Sequence, residues 1–386
     1  MTATAKLDPE PFDDVRRPLP RASHAPGRIY SSPEIYALEK ERIWMRDWLC
    51  VGRADELPEP GDYMTSRIAG EPIGLARDHA GELAAFANVC AHRGVEVARG
   101  KGNAETFSCP YHGWRYDLSG RLIGAPYMSE AEGFDPARCR LKPIRLDTWQ
   151  GFMFVNFDDD CEPLADFLGA FADDFGFFDM GELAVAARLE CDFDCNWKLV
   201  AENVMDNLHI AVVHPVTLGQ GVKAEEIDFK LITRRGYSSF YTHEPRFNDH
   251  QPMFGEHMDS LADKPSNFAG AGFMAPNFQL FTYCDNVELS MHWPLDVDRT
   301  RHAVTLIFPR KFFDRPDFAD KIRTYRDTET QTLGEDADMV RSLQQAMSVR
   351  AFVPGRMSHV EKPIHHWLNH YVERMFGTAQ VDRSPT

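Results

Sequence analysis

An α+β fold in two domains is what this sequence predicts, and three observations predict it. Residues 48–157 carry short strand-like segments broken by glycines. Beyond residue 160, strand-like segments are bracketed by helical ones instead of alternating regularly with them. The 386 residues suffice for two domains of ordinary size and a sizeable core. We expect an N-terminal arm and helix over 1–45, a first domain over 46–157 and a second over 158–386.

Residues 1–30 hold five prolines and read as an irregular arm. Ser32-Pro33 then opens a helix, with serine as N-cap and proline at the first helical position. Ile35, Leu38 and Trp44 give it apolar positions. A Pro/Gly-rich stretch, Leu57–Gly61, leads into the strands, and Asp117-Leu118-Ser119-Gly120 reads as a turn. Gly151–Phe157 is a strongly apolar strand, ended by three aspartates and Pro163. In the second half a helix is expected over Asn196–Val213. Strands are expected at Phe229–Arg234, Tyr237–Thr242, Asn277–Tyr283, Val287–Trp293 and Ala303–Phe308. Helices follow at Phe318–Thr332, Glu335–Val349 and Glu361–Met375, and Gly377–Thr386 reads as a loose tail.

Composition excludes some functions. Net charge is −17 and pI about 5.3, so no large basic face exists for a nucleic acid, and an acidic surface suits a basic docking partner. No apolar run reaches the ~18–20 residues that span a bilayer, and the N-terminus has no signal-peptide core. A cytoplasmic protein without membrane contact is the expectation. Eight cysteines in this length form no disulfide framework. Cys191 and Cys195 lie in an alternating Cys-Asp-Phe-Asp-Cys run, which favours two small apolar residues on one strand face over a metal clip.

Chemistry concentrates in two places. Cys90 and His92 are followed, after a gap of 16 residues, by Cys109 and His112. Each pair supplies one thiolate and one imidazole. A structural zinc finger draws its cysteines and its histidines from separate pairs, whereas histidines replacing two cysteines on one iron define a Rieske [2Fe–2S] cluster. Gly94 and Gly113, one beside each pair, let backbone N–H groups approach the sulfurs.

The second place is the helix from Asn196, which carries Asp206 and His209 three residues apart and ends near His214-Pro215. A distortion before Pro215 would let His209 and His214 meet one ion. Two histidines with one carboxylate make the facial triad of non-haem Fe(II) oxygenases. Asp336 supplies the carboxylate: at offsets of 3, 4, 7 and 11 it shares a helix face with Met339, Val340, Leu343 and Met347. Glu335 is the rival, and Asp338 turns toward Arg341 and solvent. The bland alternative for Asp336 is charge near a helix N-terminus. His365, His366 and His370 on the last helix read as a packing or exposed face, with no glutamate placed to act as base.

Cys90-Ala91-His92-Arg93-Gly94, Cys109-Pro110-Tyr111-His112-Gly113-Trp114, Asn196-Trp197-Lys198, Glu202-Asn203, Asp206, His209, His214 and the run Glu335-Asp336 to Gln345 together resemble the Rieske non-haem iron oxygenases. These are the large (alpha) subunits of aromatic-ring-hydroxylating and demethylating systems. Leu208 departs from the pattern, where tyrosine is usual. The resemblance implies a Rieske domain of three antiparallel sheets and a helix-grip catalytic domain with a large antiparallel sheet. It implies cysteines on the inner iron and histidines on the outer one. It implies that Asp206 bridges a cluster histidine of one subunit and His209 of the next, in a homotrimer or α3β3 assembly. Electrons from NAD(P)H would arrive through a reductase, with or without a ferredoxin, and pass from the cluster to a mononuclear Fe(II) that activates O2. Hydroxylation of an aromatic substrate, carboxylated or not, is the leading reading, as in aromatic hydrocarbon catabolism, by mono- or dioxygenation. Gly120–Pro126 resembles the oxygenases of betaines and choline, so attack on a quaternary ammonium or methoxylated substrate is the alternative. An electron carrier without oxygenase activity is the remote one. Asn207, Val213, Phe281 and His292 are the candidate pocket residues.

Overall fold

A computed structural model describes residues 12–218, 224–242 and 252–377. The beginning of the expected arm and the tail past 377 lie outside the described residues. The chain forms two compact units, Trp44–Leu168 and a second made of Met1–Ile43 with Gly169–Thr386. The N-terminal segment therefore belongs to the unit that contains the second half.

The unit Trp44–Leu168 is built of β-strands: β1 (Leu49–Arg53), β2 (Asp62–Ile68), β3 (Glu71–Arg77), β4 (Leu83–Ala87), β5 (Lys101–Asn103), β6 (Phe107–Ser108), β7 (Arg115–Tyr116), β8 (Leu122–Gly124), β9 (Pro143–Trp149) and β10 (Phe152–Asn156). They form a seven-stranded sheet, β1-β10-β9-β4-β3-β2-β5, and a three-stranded sheet, β6-β7-β8. Two of the three expected sheets are joined through β9. Its Arg145–Trp149 stretch pairs with β10, while Pro143 and Ile144 pair with β4. Phe86, Phe107, Trp114, Tyr116 and Leu141 form a core in which Cys90 and Cys109 are embedded.

The other unit holds a single antiparallel sheet of seven strands: β11 (Leu183–Phe193), β12 (Lys230–Ile232), β13 (Tyr237–Thr242), β14 (Ala269–Met274), β15 (Phe278–Tyr283), β16 (Val287–Asp296) and β17 (Arg299–Pro309). Their order is β11-β17-β16-β15-β14-β13-β12. A long helix, Phe318–Ala346, packs Phe318, Ile322, Tyr325 and Leu333 against Val304, Leu306 and Phe308 of β17. The expected break at Gly334 does not occur. One interior glycine costs a helix only ~1 kcal/mol, and nothing else in that stretch opposes continuation. Asp336 thus sits well inside a helix, which removes the N-terminal-charge alternative.

The N-terminal helix Pro33–Glu39 begins as expected, with the Ser32 hydroxyl accepting the Ile35 N–H at 3.2 Å. It delivers Glu39 to the interior. There the carboxylate accepts from Lys198 Nζ at 2.6 Å, from Trp197 Nε1 at 2.7 Å and from the Tyr371 hydroxyl of the last helix, Lys362–Phe376. No helix of the described residues is long and apolar enough to cross a membrane.

Candidate metal centres

Both centres are made where regular structure stops. The helix from Trp197 is capped by Asn196, whose side chain accepts the Lys198 N–H, and it ends at Met205 instead of running to Val213. Asp206 adopts φ −83°, ψ 114°, and its carboxylate accepts the Leu208 N–H at 2.8 Å, an Asx turn that competes with the helix. A short helix, Ile210–Val213, follows, with His209 at its N-cap and His214 at its C-cap. There is one break more than expected: the chain leaves helix before His209 and again at His214, and the single short turn between brings the histidines together although they are five residues apart.

His209 and His214 each turn Nε2 toward Asp336 Oδ1, at 3.5 and 3.1 Å. Their other nitrogens are held by carboxylates. Nδ1 of His209 lies 3.1 Å from Asp206 Oδ2, and Nδ1 of His214 lies 2.8 Å from Glu335 Oε2. If each Nδ1–H donates to its carboxylate, both Nε2 lone pairs face a carboxylate oxygen. Lone pairs facing lone pairs is unfavourable unless a cation sits among them, so the donor set fits a metal ion with oriented imidazoles. Asn203 donates to Asp336 Oδ1 at 3.1 Å and fixes the third donor. The hydrogen bond from His214, then those from Gln331 and Thr217, hold the Glu335 carboxyl below the usual carboxylate range. Glu335, the rival ligand, therefore orients His214.

In the other unit, Cys90 and Cys109 are buried while His92 and His112 are exposed. The two loops have matching geometry: Cys90 N–H donates to Val95 O and Cys109 N–H to Trp114 O, with Gly94 and Gly113 at φ 81° and 72°. Such positive φ values favour glycine. His92 Nδ1 and His112 Nδ1 face each other at 3.1 Å, close enough to share one metal ion, and Trp114 stacks on the His92 ring. Among the described residues, only His209, His214 and Asp336 bring three donor atoms within 4.8 Å of one another. Cys90, His92, Cys109 and His112 are spread wider, which fits two irons better than a single zinc ion.

The candidate pocket residues divide. Asn207 and Phe281 line a cavity of 140 Å³ that opens onto His209, His214 and Asp336. Val213 instead lines an adjoining cavity of 450 Å³, with His24, Tyr30 and Glu202, which shares Asn203, Asp206 and His209 with the first. Burial pushes the Glu202 carboxyl up to about 7 there, and its hydrogen bond from Tyr30 opposes that rise. His292 is on the same sheet face as Glu288 and Ser290 but lies further along the strand, beyond the triad cavity; it stacks on Trp197, and burial pulls its imidazole down to about 3. Its register partner His302 lines the triad cavity in its place. Glu288 and His302 escaped the sequence reading because strand periodicity gives the faces of a strand but not which face meets the site, and Glu329 escaped because its helix was expected to stop at Thr332, short of Asp336. Gln344 Oε1 accepts the Asn196 N–H at 2.9 Å. His365 and His366 pack, each with Nε2 on a backbone carbonyl.

Comparison with known proteins agrees with this layout. Residues 180–377 match the ring hydroxylating alpha subunit (catalytic domain) family, and residues 47–143 match the Rieske [2Fe-2S] domain. The chain belongs to the ring-hydroxylating alpha subunits. It is a Rieske-type terminal oxygenase, with a [2Fe–2S] domain and a catalytic domain for a mononuclear iron, supplied with electrons through a reductase. Choline monooxygenase of Arabidopsis thaliana is 27% identical over 369 residues, 92% of this chain and 83% of that protein. The carnitine monooxygenase oxygenase subunit of Acinetobacter baumannii is 34% identical over 221 residues, 56% of this chain and 58% of that one. A crystal structure of the quaternary ammonium Rieske monooxygenase CntA superposes with a TM-score of 0.80 at 25% identity, covering 97% of this chain and all of the other.

Proposed function

We propose that this terminal oxygenase hydroxylates a methylated ammonium compound, a step that demethylates it or oxidises the carbon beside nitrogen. Cys90, His92, Cys109 and His112 hold the [2Fe–2S] cluster, and His209, His214 and Asp336 hold the mononuclear iron. The observation that carries the reading is the convergence of His209 and His214 on Asp336 Oδ1, with both outer nitrogens held by carboxylates. The bound iron supplies O2 activation. The chain's own residues orient: Asp206 and Glu335 fix the imidazole tautomers, and Asn203 fixes Asp336. The choline and carnitine monooxygenases among the relatives support the ammonium reading over the aromatic one first expected from the sequence.

Asp206 has the further role of passing electrons between subunits of a homotrimer. Inter-subunit electron transfer is the subject of a related carnitine-oxidising structure. The proposal includes a cytoplasmic location, a reducing compartment that keeps the cluster thiols Cys90 and Cys109 available to iron. The test is substrate-dependent O2 uptake by metallated enzyme with a surrogate reductase, over methylated amines and aromatic acids. Three irons per chain and amine-stimulated uptake are expected, and uptake stimulated by aromatic acids alone would refute the substrate. Asp206→Ala should retain all three irons and lose turnover by roughly 10–100-fold. Normal turnover would remove the bridging role.

A further inference from the structure

Two carboxyls of the triad cavity have no part in holding metal. Glu288 lies on β16, is 6% exposed, and accepts the hydroxyl hydrogen of Tyr325. Glu329 lies one helical turn beyond Tyr325 on the long helix, and Asp336 two turns further along the same face. That helix face thus runs from the Tyr325–Glu288 pair, through Glu329, to the metal. Both glutamates line the cavity together with the aromatic walls Phe281 and Tyr283, and no lysine or arginine is among its described lining residues.

Two buried acids beside each other are costly unless a proton or a cation joins them. Burial first, and the neighbouring Glu288 next, push the Glu329 carboxyl up to about 9, so the empty pair keeps a proton at neutral pH and a bound cation, favouring the ionised form, displaces it. A second observation points to a ligand in the same space. His302 is 2% exposed and lines the cavity, and its Nδ1 has no hydrogen-bond partner. Its Nε2 makes only a long contact, 3.5 Å, to the Ser290 hydroxyl. Burial pulls this imidazole down to about 4, so near neutral pH it is an uncharged group able to bond a polar ligand atom.

We propose that Glu288 and Glu329 are the specificity-determining pair that receives the positively charged head of the substrate, with His302 bonding a polar group on the same molecule. The inference deepens the ammonium reading above and rests on it. It adds that recognition comes from carboxylate charge on the sheet and long helix, with Phe281 and Tyr283 giving ring faces to the methyl groups. It also excludes a substrate whose reactive end carries its own carboxylate, since two acids would face it.

The test compares two probes of nearly equal shape, choline and its uncharged carbon isostere 3,3-dimethylbutan-1-ol. Binding to the full-length, fully metallated protein is measured by calorimetry without reductant. Choline should bind about tenfold or more tighter than the isostere. Glu329→Gln and Glu288→Gln should each remove most of that ratio, leaving the affinity for the isostere, the iron content and the cluster spectrum unchanged. Glu329→Asp should recover part of it. A ratio near one in the unmodified protein, or a ratio that survives both substitutions, overturns the proposal. Because no turnover is required, the two readings fail separately. Selective choline binding without amine oxidation would sink the substrate reading alone, and amine oxidation without charge preference would sink the glutamate pair alone.

Discussion

The hydroxyl of Tyr116 lies 3.2 Å from Cys90 Sγ and 3.0 Å from the Ala91 nitrogen. The Ala91 N–H can only donate, so the phenol accepts there and its own proton is left for the sulfur. A hydrogen bond to a cluster sulfur stabilises the reduced, more negative state and raises the potential. Tyr116→Phe should therefore lower the midpoint of the cluster by roughly 50 mV, taking a net hydrogen bond of ~1 kcal/mol over one electron. A redox titration that shows no change would mean the proton points elsewhere. A second residue-scale prediction concerns pH. His24 Nε2 lies 3.1 Å from Glu361 Oε1, and that hydrogen bond raises the imidazole above 6.5 against the opposing effect of burial. A folded-state value raised above the unfolded one gives stability that is complete below about pH 6.5 and lost as pH rises through the folded value. Glu361→Gln should cost more stability at pH 5.5 than at pH 8.5, measured by urea denaturation at both. An equal cost at the two would show that His24 stays neutral throughout.

Elements with strong local signals were legible in the sequence, and those defined by their neighbours were not. Tyr237–Thr242 is β-branched and aromatic and forms the expected strand; the serine–proline cap at 32–33 starts the expected helix. The strand Ala269–Met274 was invisible because Ala-Gly-Ala-Gly carries no strand preference of its own. Its glycines are required by packing. A Cβ on Gly272 would lie 2.3 Å from the Phe175 ring, in a stack that includes Phe171, and one on Gly270 would lie 2.7 Å from Tyr241. Nothing in the local pattern announces that two rings from a distant segment need this space. The candidate site divided the same way. His209, His214 and Asp336 stand out by residue type and spacing, but Glu335 as a positioning group and His302 as a wall depend on a helix running through Gly334 and on the facing of β17. Gly272→Val should therefore destabilise the unit by ~1–3 kcal/mol through overpacking. The check is the denaturation midpoint followed by tryptophan fluorescence, and a midpoint equal to the parent's would show that the Phe171–Phe175 stack yields freely.

At the scale of the whole molecule, the chain makes one unit from a continuous segment and the other from two pieces that flank it. The continuous segment enters through β1 and leaves after β10, which are antiparallel neighbours. Its ends are tied within the unit: Trp48 Nε1 donates to Glu162 O at 2.8 Å, Asn156 Nδ2 to Arg46 O at 3.1 Å, and Arg46 pairs with Asp158 at 2.6 Å. Its core surrounds the two cysteines, and its sheet needs no strand from outside. The other unit depends on its first piece, because Glu39 is the buried counterion of Lys198, one residue into the helix that leads to His209. Leaving one member of a fully buried pair uncompensated costs ~3–5 kcal/mol. Two outcomes follow. A fragment of residues 44–168, reconstituted with iron and sulfide, should bind two irons and give a rhombic Rieske signal when reduced. In the full chain, Glu39→Ala should release the mononuclear iron at lower urea than the parent while the visible spectrum of the cluster persists to the parent's concentration. If the fragment fails to assemble a cluster, or if cluster and iron are lost together in the variant, the two units do not fold as independently as their internal bonding requires.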